Sequence, residues 1–108
     1  MQKVKNHSYK ECLQVVRSAA FYFAPAEKKQ IKLLLGQASA LVYYAARRDV
    51  SRYENTAFNF YLAAVKEGLR QAEAALKLEQ RGTDRRLVLS FLAEALRLLV
   101  DMYEVRKC

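Results

Sequence analysis

Between Leu87 and Val105 the polar side chains are Ser90, Glu94, Arg97, Asp101 and Glu104, spaced alternately four and three residues apart. On a helix that spacing gathers them into one narrow stripe, one residue per turn. Every other residue in the stretch is apolar, aromatic or alanine. Leu87, Phe91, Leu98 and Met102 line one flank of the apolar arc, and Val88, Leu92, Leu99 and Tyr103 line the other. An earlier stretch, Leu33–Ala46, carries no charge at all. A core of this size offers little volume to cover two such helices. The excess therefore predicts an oligomer interface, with Leu87, Phe91, Leu98 and Met102 as its residues.

The same pattern predicts four helices. The first spans about Tyr9–Phe23. Ser8 followed by Glu11 forms a capping box at its start, and Pro25 stops it while suiting the first turn of the next. The second spans about Ala26–Arg48. The third spans about Arg52–Gln80, opened by a second capping box of Ser51 and Glu54 and closed by Gly82. The fourth spans about Asp84–Lys107, with Thr83 as N-cap. No period-two alternation suggests a strand. Connections of a few residues force neighbouring helices to run in opposite directions. The expected fold is therefore all-α, a single-domain antiparallel up-down-up-down four-helix bundle over residues 1–108.

Charge adds a partner class. Nineteen Lys and Arg stand against eleven Asp and Glu, a formal net charge of +8. Such an imbalance favours anionic partners, RNA or DNA first among them. The bundle topology gathers the cations at two ends. One end is expected to hold Lys28, Lys29, Lys32, Lys77, Arg81, Arg85 and Arg86. The other holds Arg47, Arg48 and Arg52, near Lys3, Lys5, Arg106 and Lys107. Arg85 and Arg86 sit at a helix N-terminus, where the dipole disfavours cations. They are expected at an exposed turn, where reversing Arg81, Arg85 and Arg86 to Glu would abolish RNA binding and spare the fold. The seven tyrosines, Tyr43, Tyr44 and Tyr61 among them, are expected to pack in the core or an interface more than to stack on bases.

Catalytic chemistry is not suggested. His7 is the one histidine, so no Ser–His or Cys–His pairing is available and no Glu-x-x-His di-metal motif occurs. Neither a P-loop nor GxGxxG appears. Cys12 and Cys108 lie far apart and make no CxxC. Glu94 and Arg97 read as an ordinary surface pair. No enzyme activity, cofactor or metal is expected. Without an apolar leader or a membrane-length apolar run, a cytoplasmic protein with no membrane partner is expected.

The run Leu34-Leu35-Gly36-Gln37, the turn Val50-Ser51-Arg52 and the block Leu92-Ala93-Glu94-Ala95-Leu96-Arg97-Leu98-Leu99 resemble the accessory variability determinant family of diversity-generating retroelements. The resemblance runs from about Pro25 onward. It implies a four-helix bundle that assembles into a pentameric barrel and is a fold relative of the bundle proteins encoded by ribosomal RNA intervening sequences. It also implies a non-enzymatic basic protein that binds the element's reverse transcriptase and template RNA or other nucleic acid during mutagenic retrohoming. Two departures stand out: Val100-Asp101-Met102 replaces the family's small residue and Trp, and the third helix supplies Lys66 and Arg70 in place of a longer basic run. Two other readings suit a short, basic, helical chain: a small RNA-binding subunit of a CRISPR effector complex, and a ribosomal-RNA-associated bundle of the intervening-sequence type.

Overall fold

The structure, a computed structural model, describes residues 8–19, 23–47, 56–79 and 83–104. Among these residues are four helices and no strand, consistent with a four-helix bundle: α1 (Tyr9–Ser18), α2 (Pro25–Ala45), α3 (Thr56–Leu78) and α4 (Thr83–Glu104). None of the described helices is long and apolar enough to cross a membrane.

Local chemistry sets the boundaries. At the start of α1 the Ser8 hydroxyl accepts from the Glu11 N–H at 3.2 Å, and the Ser8 N–H donates to Glu11 Oε1 at 2.9 Å. This reciprocal box satisfies two donors that an uncapped helix leaves unpaired. The helix stops at Ser18 and does not reach Phe23 as its pattern predicts. Pro25 forces Ala24 out of the helical region, to φ −65° and ψ 158°. Phe23, freed from a helical path, is buried in the core. Pro25 then opens α2, and Glu27 Oε1 accepts from the Ala24 N–H at 3.0 Å. Helix α4 begins at Thr83. The Ser51–Glu54 box, the Val50–Arg52 turn and Gly82 lie outside the described residues.

Helix α4 occupies the middle. It packs along α1 and along α3, while α2 packs mainly on α3. Residues Phe91 to Leu96 are all buried, and Val88, Leu89 and Leu99 extend the buried set. An unbroken run longer than one helical turn is covered on every side. Most of the fourth helix's apolar surplus is thus absorbed within one chain. Phe91, expected at an oligomer interface, is 7% exposed and belongs to the core, whereas Leu87 (43%) and Met102 (48%) stay open at the two ends of α4. Leu98 is half-buried.

The α2–α3 contact needs small residues. Ala64, Gly68, Ala72 and Ala75 recur along α3 and line a groove of ≈ 650 Å³ between α2, α3 and α4. A Cβ on Gly68 would lie 2.3 Å from Leu34 Cδ1, so glycine is what lets Leu34 of α2 lie against the α3 backbone.

The central position of α4 yields a test. Leu96→Ala is expected to destabilise the fold by about 3 kcal/mol, because Leu96 is fully buried and its loss opens a cavity. Leu78→Ala, at an exposed site, should change stability by less than about 0.5 kcal/mol. Urea unfolding followed by circular dichroism measures both, and equal losses would contradict the enclosure of α4.

Candidate nucleic-acid interface

The end where α2 starts, α3 finishes and α4 starts is held by Arg85. Its guanidinium donates to both carboxylate oxygens of Glu27 at 3.2 and 2.9 Å, and its Nε donates to Glu79 Oε1 at 3.1 Å. It also lies 4.5 Å from the Phe23 ring centre, a cation–π contact. The side chain is 17% exposed. Pairing with Glu27, then Glu79, holds its pKa above the ordinary value against the opposing effect of burial. Arg86 Nη1 donates to the Leu76 and Glu79 carbonyls at 2.9 Å each. Those are carbonyls at the C-terminal end of α3, where a helix leaves acceptors unpaired and a cation is favoured.

This corrects the expectation of an exposed turn for Arg85, whereas Arg86 is exposed as expected but has its guanidinium engaged. Arg85 and Arg86 do stand at the N-terminus of α4, against its dipole, but they are committed to Glu27, Glu79, Phe23 and the end of α3. A reversal of these two arginines would strike the fold as well as any ligand. Arg81 lies outside the described residues.

The lysines at the same end behave differently. Lys28 and Lys29 extend from the first turn of α2, Lys32 follows one turn later, and Lys77 stands in the last turn of α3. All four are exposed, and among the described residues no carboxylate pairs with them. Glu27 and Glu79, which flank these lysines in sequence, meet at Arg85, so the lysines share one end of the molecule. Lys28 and Lys29 also oppose the dipole of α2, which Glu27 in the same first turn favours.

The other predicted cations divide. Lys66 pairs with Glu104 across α3 and α4. Arg70 is held along its own helix by Glu67, with Nε donating to Glu67 Oε1 at 3.0 Å. That pairing raises the pKa of Arg70 and lowers that of Glu67. Arg47 is exposed just beyond α2. Arg48, Arg52, Lys3, Lys5, Arg106 and Lys107 lie outside the described residues.

Two groups differ from their sequence reading. Glu94 is buried, and its Arg97 partner also reaches Glu73 of α3: Arg97 donates to Glu94 Oε1 at 2.6 Å and to Glu73 Oε2 at 2.8 Å. What reads as a surface pair is a clamp between helices, and its hydrogen bonds, that to Glu73 foremost, hold the Arg97 pKa up. Tyr43 and Phe60 are each 62% exposed, so neither ring is spent on the core. Tyr43 has its signal in the uncharged run of the second helix. Phe60 has none, because an aromatic in an apolar run reads as core.

Among the described residues, no cluster of three His, Cys, Asp or Glu side chains is placed to hold a metal ion. Cys12 is buried, and burial, reinforced by Glu94 and Glu11, pushes its thiol pKa up. No protein-family model matches the chain, and no curated protein or solved structure is similar to it.

Two measurements follow from this geometry. Arg85→Ala is expected to cost about 2 kcal/mol in urea unfolding, since it strips a charged partner from the buried Glu79; a variant as stable as the parent would remove the clasp from the account. In a Cys108→Ser background, Cys12 should react with a disulfide reagent at pH 8 only on unfolding, because a raised pKa and burial together withhold the thiolate. Rapid labelling of the native protein would contradict its placement.

Proposed function

We propose that this chain is a non-enzymatic nucleic-acid-binding bundle that serves as an accessory to a reverse transcriptase, in the manner of the accessory variability determinant family it resembles. The observation that carries the nucleic-acid part is the group Lys28, Lys29, Lys32 and Lys77: exposed, free of carboxylates among the described residues, and set at one end of the molecule. An exposed cation group of this kind contacts phosphates without reading sequence. The polymerase partnership and the role in mutagenic retrohoming rest on the sequence blocks alone.

An antiparallel arrangement belongs to this reading. It is supported by three α3–α4 pairs, Lys66 with Glu104, Glu73 with Arg97, and Glu79 with Arg85, whose positions rise on one helix as they fall on the other. Pentameric assembly belongs to it as well, through Leu87, Leu98 and Met102. These fall on one line of α4 and, unlike Phe91, keep exposed surface.

Charge removal tests the reading. Lys28, Lys29, Lys32 and Lys77 changed together to Gln should weaken binding of a labelled RNA. The dependence of log affinity on log salt should flatten by about 0.7 to 0.9 for each phosphate that is no longer neutralised. An unchanged slope at unchanged stability would remove these lysines from the interface. Light scattering in high salt should return a mass about five times 12.5 kDa; a monomer would remove the pentamer.

A further inference from the structure

Four aromatic rings run in a continuous line across the α2–α3 surface. Tyr43 meets Tyr44 edge to face at 5.0 Å between centres, Tyr44 stacks on Tyr61 at 5.8 Å with planes 9° apart, and Tyr61 meets Phe60 edge to face at 5.1 Å. The inner pair bridges the two helices and is half-buried. The outer two, Tyr43 and Phe60, are 62% exposed. Each outer ring spends part of its surface on its inner neighbour and leaves the rest to solvent. Large aromatics left open on both margins of an ordered line are unusual for a surface that meets only water.

We propose that this line is a stacking platform for the unpaired bases of single-stranded nucleic acid, an inference that rests on the nucleic-acid reading above and gives it a second contact surface. Base faces stack on aromatic side chains whatever the sequence, provided a cationic surface accommodates the backbone. The charge pattern suits that ligand. From Leu33 to Arg47 and from Thr56 to Val65 the sequence contains no Asp or Glu, so no carboxylate of these stretches repels a phosphate. The first charge after Tyr43 and Tyr44 is Arg47, exposed at the end of α2. A duplex is the poorer fit, because its base faces are already stacked on one another.

The platform and the lysine group make separable contributions. Lysines add affinity that falls with salt and is shared by single and double strands. Rings add affinity that is nearly salt-independent and confined to single strands.

The test uses the intact protein with a labelled uridine oligonucleotide about 16 nucleotides long and, separately, a duplex of equal length, read by fluorescence anisotropy. Y43A/F60A is expected to lose tenfold or more in affinity for the single strand, with little change for the duplex and an unchanged salt slope. Y43F/F60Y, which keeps both rings, should bind as the parent does. The chain has seven Tyr and no Trp, so quenching of intrinsic tyrosine emission by the oligonucleotide gives a second readout, expected to shrink in Y43A/F60A. Single-strand binding by Y43A/F60A equal to the parent's overturns the platform. If the lysine variant then still loses affinity, the nucleic-acid reading survives without it. A parent protein that binds neither ligand overturns both. A fall in mass of Y43A/F60A by light scattering, with single-strand affinity intact, assigns the rings to contact between copies of the chain and also overturns the proposal.

Discussion

The middle of α4 is enclosed on every side, so the polar groups there turn onto neighbouring helices, and that constraint organises this fold. Buried Glu94 is held by Arg97, which reaches across to Glu73. Farther along α4, Glu104 meets Lys66, and at the opposite end Arg85 meets Glu79. These three links fix the register of α4 against α3 along its whole length. Removing one partner from a desolvated link costs more than the link is worth in isolation, since the remaining charge keeps its desolvation penalty. The polar stripe thus specifies how two helices align, while the surrounding leucines and alanines supply the burial.

Much of this is legible in the sequence, and the failures have physical causes. The four helical segments follow from apolar periodicity and from Pro25, and the Ser8–Glu11 box appears with both of its hydrogen bonds. Periodicity says which residues share a face, but not how many faces are covered. A narrow polar stripe reads the same on a helix with a surplus apolar flank and on a helix at the centre of its own bundle. That ambiguity assigns Phe91 to an interface when it lies in the core. The reading of Arg85 as exposed, and of both Arg85 and Arg86 as uncommitted, fails for a related reason. Their clash with the α4 dipole is local and visible in sequence, whereas the compensating Glu27, Glu79 and α3 carbonyls come from elements that only the tertiary fold brings together.

The two apolar-rich helices therefore have different fates. Helix α4 spends most of its surplus inside the chain and keeps only Leu87 and Met102 open near its ends. Helix α2 buries Ile31, Leu35, Ala38, Leu41 and Ala45 along one line and leaves Leu33 and Tyr43 exposed on another. The uncovered surplus of this molecule accordingly lies on α2 and the facing part of α3, not along the middle of the last helix. The cations divide by the same logic. Arg70, Arg85, Arg86, Arg97 and Lys66 have side chains engaged in hydrogen bonds within the chain, whereas among the described residues no carboxylate pairs with Lys28, Lys29, Lys32 or Lys77.

With the exception of Lys66, that division fits the chemistry of the two side chains. A guanidinium presents a planar fork that satisfies two oxygens at fixed angles, which suits a clasp between helices. An ammonium on a flexible stem is a point charge that tolerates many geometries, which suits a phosphate backbone of variable path. If the lysines hold a backbone at one end and the aromatic line takes bases farther along α2, one helix carries both contacts: Lys28, Lys29 and Lys32 near its start, Tyr43 and Tyr44 near its end. This arrangement is workable because α2 contributes only one line of residues, Ile31, Leu35, Ala38, Leu41 and Ala45, to the core and keeps its outer surface for a ligand.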